Sequence, residues 1–218
     1  MTLNFRNARD PISSFTHFLG AIFAILETII LIVTISTENT FSLSALISVL
    51  IFGFSMLALY SASSIYHYVT TPNTEVIARL RKLDHAMIYV LIAGSYTPIY
   101  LGCVERTHAY IFLSIIWAIA IIGIIVKMFW MNAPRWISTS FYLLMGWAIV
   151  FDWRVLTVIN TGALSLIAAG GIAYTIGGII YIIKKPQITE NFGFHELFHI
   201  FIMLGTLLHF LAIWLFII

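Results

Sequence analysis

A seven-helix, all-α transmembrane bundle, with its N-terminus cytoplasmic and its C-terminus outside, is the fold class this sequence predicts. The first observation is composition. Of 218 residues, 61% are hydrophobic and 9% charged, with a mean hydropathy of +1.01, whereas a soluble domain carries about a quarter charged residues. The second is a succession of apolar runs near the roughly 20 residues that a helix needs to cross the hydrocarbon. The third is the placing of the basic residues between those runs.

The runs cover 13–35, 41–67, 84–103, 108–129, 136–152, 162–183 and 194–217. Their connections are too brief for a soluble domain, so residues 1–218 read as a single transmembrane domain. Ahead of the first run, Met1 to Asp10 is polar and holds Arg6 and Arg9. The run that follows is too long for a signal-peptide core and lacks a convincing cleavage site, which makes it a retained span. The second run closes on Ser63 and His67. The third opens at Asp84 and contains Pro98, which should bend it, with Ser95 and Thr97 at hand for the freed backbone groups. The fifth is the weakest, because Asp152 and Arg154 cut it short. In the sixth, Gly170, Gly171, Gly177 and Gly178 let neighbouring helices approach closely. Trp130, Trp136, Trp147 and Trp153 fall mostly toward span ends, as interfacial anchors do.

With the N-terminus inside, the inner segments hold Arg6, Arg9, Arg79, Arg81, Lys82, Lys127, Arg135, Lys184 and Lys185. The outer loops hold only Arg106 and Arg154. That asymmetry orients the chain: the loop around Asn39 lies outside and the one around Asn73 inside. The net charge of +2 therefore reflects topology and carries no nucleic-acid signal. Cys103 is the only cysteine, which excludes an intrachain disulfide and a cysteine-based zinc site.

This topology puts Ser63 and His67 at the inner end of the second span, Asp84 in the first turn of the third, and His195 and His199 in the first two turns of the last. At about 1.5 Å per residue, all five share the cytoplasmic leaflet. Residues i and i+4 lie on one helix face, so His195 and His199 can hold one metal ion if another segment adds a ligand. Three neutral imidazoles with an open fourth position are the ligand set of a catalytic zinc. Asp84 could accept the proton of a bound water or orient it, and Ser63 could hydrogen-bond a ligand or the substrate. The competing reading is polar residues at helix ends, bonded to backbone or headgroups. His195-Glu196-Leu197-Phe198-His199 also matches the H-E-x-x-H protease pattern. Glu196 lies about 100° around the helix from His195, and its role stays open at this point.

Several stretches together resemble one family: Ser63-Ser64-Ile65-Tyr66-His67, Leu83-Asp84-His85, Ala93-Gly94-Ser95-Tyr96-Thr97-Pro98, Gly193-Phe194-His195-Glu196-Leu197-Phe198-His199, and Gly205-Thr206-Leu207-Leu208-His209-Phe210. They look like the hemolysin III family, bacterial relatives of the progestin and adiponectin receptors in a superfamily that includes alkaline ceramidases. The resemblance covers essentially the whole chain. It implies seven helices around a zinc ion held by His67, His195 and His199, with Asp84 near the zinc-bound water and Ser63 beside it. The large soluble N-terminal region of the receptor branch is absent, so hormone binding does not carry over.

Other titratable residues have plainer readings. His85 points about 100° from Asp84 and is read as packing or an interfacial bond. His17 is either a supporting residue of the site or an interfacial histidine. Glu27 lies deep in the first span, where an unpaired carboxylate is costly. His209 lies about 15 Å beyond His199, too far to share its metal. His108 and Cys103 sit at the outer interface and signal nothing. Two function classes remain: a zinc hydrolase in the bacterial cell membrane acting on a membrane lipid such as a ceramide-like amide, or a non-enzymatic homeostatic, signalling or cytolytic protein with structural zinc.

Overall fold

The structure, a computed structural model, describes residues 4–37, 41–190 and 192–218; Asn39, expected on the outer side, lies outside them. The described residues form eight α-helices: α1 (Pro11–Thr37), α2 (Leu43–Tyr68), α3 (Thr74–Cys103), α4 (Arg106–Phe129), α5 (Arg135–Gly146), α6 (Trp153–Val158), α7 (Thr161–Ile183) and α8 (Phe194–Phe216). Six of them, α1–α4, α7 and α8, are long and apolar enough to cross a membrane.

The fifth expected span, 136–152, is not one continuous helix. α5 ends at Gly146, a 3-10 turn covers Ala148–Phe151, and Asp152 then caps α6 by accepting from the Arg154 N–H at 3.1 Å. Asp152, already suspect, supplies part of the reason, since an Asp carboxylate is better satisfied as a cap than inside an apolar helix; Gly146, which ends α5, is a poor helix former as well. Other helix starts are also capped by short polar side chains. Ser42, Asn73, Glu105 and Asn160 accept from first-turn N–H groups of α2, α3, α4 and α7.

Neighbours in sequence pack as neighbours in space: α1 on α2, α2 on α3, α3 on α4, and α7 on α8. α1 also meets α8, while α5 lies against both α3 and α7, so the long helices close into a ring with α4 on the outside of α3. Burial follows this plan. In α3, 61% of the most apolar window is buried, against 22% in α1 and α4, whose Phe23, Leu26, Val33, Ile111, Ile115 and Ile122 face outward. A lipid-facing helix has no reason to hide such side chains.

The paired glycines of α7 serve two partners at once. A Cβ on Gly170 or Gly177 would strike His209 or Phe201 of α8, at 2.6 and 2.9 Å. Gly171 and Gly178 instead meet Trp147 and Thr139 at 3.1 and 3.0 Å. Trp147 is therefore half-buried and donates to Thr175 Oγ1 at 3.0 Å, a correction to its reading as an interfacial anchor; Trp130, Trp136 and Trp153 are exposed. α3 runs unbroken through Pro98. Ser95 and Thr97 donate to the carbonyls of Ile92 and Ala93 rather than to that of Gly94, the group that proline leaves without its N–H.

Candidate metal centre

The end of α2 and the start of α8 are brought together by the opening turn of α1. Asp10, Ser13, Ser14 and His17 recur at the helical spacing that puts them on one face. Ser14 and Ser64 exchange hydroxyl-to-carbonyl hydrogen bonds at 3.0 and 2.9 Å, fixing α1 to α2. Ser13 donates to Glu196 Oε1 at 2.9 Å, fixing α1 to α8. The Asp10 N–H donates to the His67 carbonyl at 3.0 Å, and the Asp10 carboxylate accepts from His67 Nδ1 at 2.8 Å.

Between these clamps, His67, His195 and His199 converge, each offering a ring nitrogen within 4.8 Å of the others. His67 and His199 are buried and His195 is half-buried. His67 Nε2 and His195 Nε2 are 3.3 Å apart, about the separation of two ligands each 2.0–2.1 Å from one tetrahedral zinc. The Asp10 bond places the His67 proton on Nδ1, which leaves the Nε2 lone pair facing the other histidines; a carboxylate behind a metal-binding imidazole fixes ring and tautomer in this way. The His67 hydrogen bond, with help from Arg9, holds the Asp10 carboxyl below its ordinary range despite partial burial. The triad is positioned to hold a metal ion.

Asp84 and Ser63 are buried and line one cavity of about 200 Å³ together with His195 and His199. His85 Nδ1 comes within 3.0 Å of Asp84 Oδ2 without the geometry of a hydrogen bond. His17 is buried and stacks on His199, with ring centroids 3.8 Å apart and 16° between planes. Neither of its ring nitrogens has a protein partner among the described residues, so it belongs beside the site and is no interfacial residue.

Glu196 has two jobs. Its Oε2 accepts from the Gly193 N–H at 2.9 Å, closing the first turn of α8, and its Oε1 takes the Ser13 hydroxyl. Both oxygens are engaged away from the cavity, which removes the support for a protease-type general base. The Gly205-Thr206 stretch builds the next layer: Tyr60 donates to Thr206 Oγ1 at 2.8 Å, and Tyr174 Oη lies 2.9 Å from it. His209 is apart from the triad and reaches the Ile167 carbonyl at 3.3 Å.

Residues 5–210 match the family described as Haemolysin-III related. The chain belongs to that family. It is 37% identical over 195 residues to the Hemolysin-3 homolog of Bacillus subtilis (strain 168), covering 89% of this chain and 87% of the relative. It is 36% identical over 202 residues to the Hemolysin-3 of Bacillus cereus, at 92% and 88% coverage. Human monocyte to macrophage differentiation factor is 28% identical over 175 residues, at 75% and 68% coverage. With its six apolar helices, this haemolysin-III relative is a multi-pass bacterial membrane protein.

Two features escaped the sequence reading. In the sequence Asp10 is only part of a polar N-terminus, although a carboxylate at the same end of the bundle as three histidines, opening the stripe Asp10, Ser13, Ser14, His17, is a signal for it. His108 was dismissed, yet its Nε2 lies 2.6 Å from Asp152 Oδ2, which also accepts from Tyr100 at 3.0 Å. Burying the Asp152 carboxylate demands such partners, and this cluster joins α3, α4 and the start of α6. For the metal centre, Asp10→Asn should lower metal affinity about 10- to 100-fold without loss of the fold, the usual consequence of losing the carboxylate behind a ligand histidine. Competition against a chromogenic chelator measures it.

Proposed function

We propose that this haemolysin-III relative is a zinc-dependent hydrolase of lipid amides, built as one seven-span domain over residues 1–218 with its site in the cytoplasmic leaflet. The observation that carries the reading is the set of three convergent imidazoles, two of which, His195 and His199, line a cavity that also holds a carboxylate and a hydroxyl. Imidazole nitrogens alone at this spacing suit zinc, and three protein ligands are the catalytic rather than the structural complement. Bound there, zinc would supply Lewis acidity and a water that ionises near pH 7. Asp84 takes the proton of the attacking water and returns it to the leaving nitrogen, Ser63 hydrogen-bonds the lipid amide, and Asp10 keeps His67 in its ligating tautomer. The apolar wall beyond, with Leu91, Ile99, Leu164 and Ile202, receives the acyl chain.

The seventh span in this reading is α5 with its 3-10 turn. Its two parts rise roughly 18 and 8 Å, near the ~30 Å of a hydrocarbon core. The Lys/Arg asymmetry supports the orientation. In a Cys103→Ser background, Trp153→Cys should react with an impermeant maleimide in intact cells and Pro72→Cys should not; the reverse labelling would invert the topology.

The name of the Bacillus cereus relative favours a second reading, a lytic protein in which the metal is structural. Purified protein in phosphatidylcholine bilayers, given N-acyl sphingoid and N-acyl ethanolamine substrates, separates the two. Free fatty acid should appear, cease with a chelator and return with zinc. Absent or chelator-insensitive release across the panel would leave the second reading.

A further inference from the structure

The cavity beside the triad is lined near its helix ends by cations that, among the described residues, lack carboxylate partners. Lys127, in the last turn of α4, is 5% exposed and donates to Ser138 Oγ at 2.9 Å. An ammonium has three donors, and a hydroxyl does not offset its charge. Arg81 of α3 is the neighbouring charge and repels it. Arg135 of α5 lies with its guanidinium 4.9 Å from the Tyr181 ring centroid and 5.7 Å from that of Phe194. Among the described residues, no carboxylate stands within salt-bridge distance of Arg81, Lys127 or Arg135. All three line the cavity that holds Asp84, His195 and His199.

The backbone adds to this. α5 begins at Arg135, its N-cap is Pro134, which has no capping oxygen, and its first turn holds no acidic residue. A helix start is the positive end of the dipole and favours an anion, yet this one carries an arginine and has Lys127 bonded to its Ser138. Three cations and an uncapped helix start therefore enclose the same space, and a buried cation is costly without a counter-charge. Deeper in, the cavity wall is largely aliphatic, with Ile92, Leu143 and Leu156. Tyr181 links the two sites: Arg135 sits over its ring, whose centroid is 6.0 Å from that of His195.

We infer that this part of the cavity is a binding site for the phosphate headgroup of a single-chain lipid, with Arg81, Lys127, Arg135 and the start of α5 around the phosphate and the alkyl chain in the cavity. The site shares its cavity with the candidate metal centre but uses none of the three convergent histidines, and it does not depend on the metal being catalytic. An annular headgroup would reach Arg135 and Arg81 but not a lysine this buried, which is why the site should saturate at one ligand.

The test is binding of dodecyl phosphate to the full chain in nonionic detergent, followed by native mass spectrometry and titration, with dodecanol and inorganic phosphate as separate arms. One dodecyl phosphate should be retained per chain, at least tenfold more tightly than dodecanol, and inorganic phosphate should bind far more weakly than either. Arg81→Gln and Arg135→Gln should each weaken dodecyl phosphate about tenfold, as loss of a charged donor does, and leave dodecanol unchanged. Lys127→Met should do the same; should it fail to fold, the two arginine variants decide. Binding should persist in His67→Ala protein treated with chelator, so that failure here and failure of the hydrolase reading are told apart. Equal binding of dodecanol, indifference to both arginine variants, or loss of binding on metal removal would overturn the site. Inorganic phosphate binding as tightly as dodecyl phosphate would overturn the lipid as its occupant.

Discussion

Purified His67→Ala protein should contain almost no zinc under conditions that load the wild type, with affinity reduced by well over 100-fold. The reasoning is comparative. Losing a group that merely orients a metal-bound histidine costs about 10- to 100-fold, and losing the ligand itself must cost more. His67 is also the one ligand that does not come from α8, and its Nε2 is 3.3 Å from His195 Nε2. Without it, one helix offers two imidazoles in a pocket with room for water, and two ligands do not make a tight zinc site. His195→Ala and His199→Ala should behave alike. His209→Ala is the informative control: it opens a void beside Gly170 and frees the Ile167 carbonyl, so thermal stability should fall while zinc remains. His85→Ala should keep zinc as well. Metal analysis and a melting curve on each variant check this, and full zinc occupancy in His67→Ala would dismantle the three-ligand site.

The sequence made some of this site legible and hid the rest for definite reasons. His195 and His199 could be paired because helical spacing is local: i and i+4 share a face wherever the helix sits. His67, Asp84 and Ser63 could be joined to them because a membrane supplies a depth coordinate that soluble proteins lack. What depth cannot supply is rotation about each helix axis. That is why helical spacing alone leaves His17 undecided, where the fold stacks its ring on His199, and leaves Glu196 open, where the fold engages both its oxygens. Asp10 was missed because its role is set by a contact 57 residues away. The cluster of His108 with Asp152 was missed for the same reason, 44 residues apart. The fifth span is doubtful in the sequence at the place where the helix breaks, since Asp152, one of the two residues that make it poorly apolar, is the cap of the next helix.

Asp84→Asn should retain most of its zinc and lose fatty-acid release from a lipid amide by about 10²-fold or more. Asparagine keeps the shape of the side chain and one acceptor oxygen, but it carries no charge and cannot take a proton; general acid–base catalysis of this kind contributes about 10²–10⁴-fold. Asp84 is suited to that work by position. It is buried in α3, the most enclosed of the long helices, and shares its cavity with His195, His199 and Ser63. It is not one of the three convergent ligands, so its charge can act on the water and the leaving group instead of being consumed by the metal. The measurement pairs zinc content with initial rates of fatty-acid release on the same preparation. Zinc retained with release lost assigns Asp84 to proton transfer. Zinc lost together with the fold intact would make Asp84 a fourth ligand, and a site closed by four protein groups is structural, not catalytic. Zinc and release both unchanged would move the proton-transfer role elsewhere in the cavity, with His17, whose two ring nitrogens have no protein partner among the described residues, as the next residue to test.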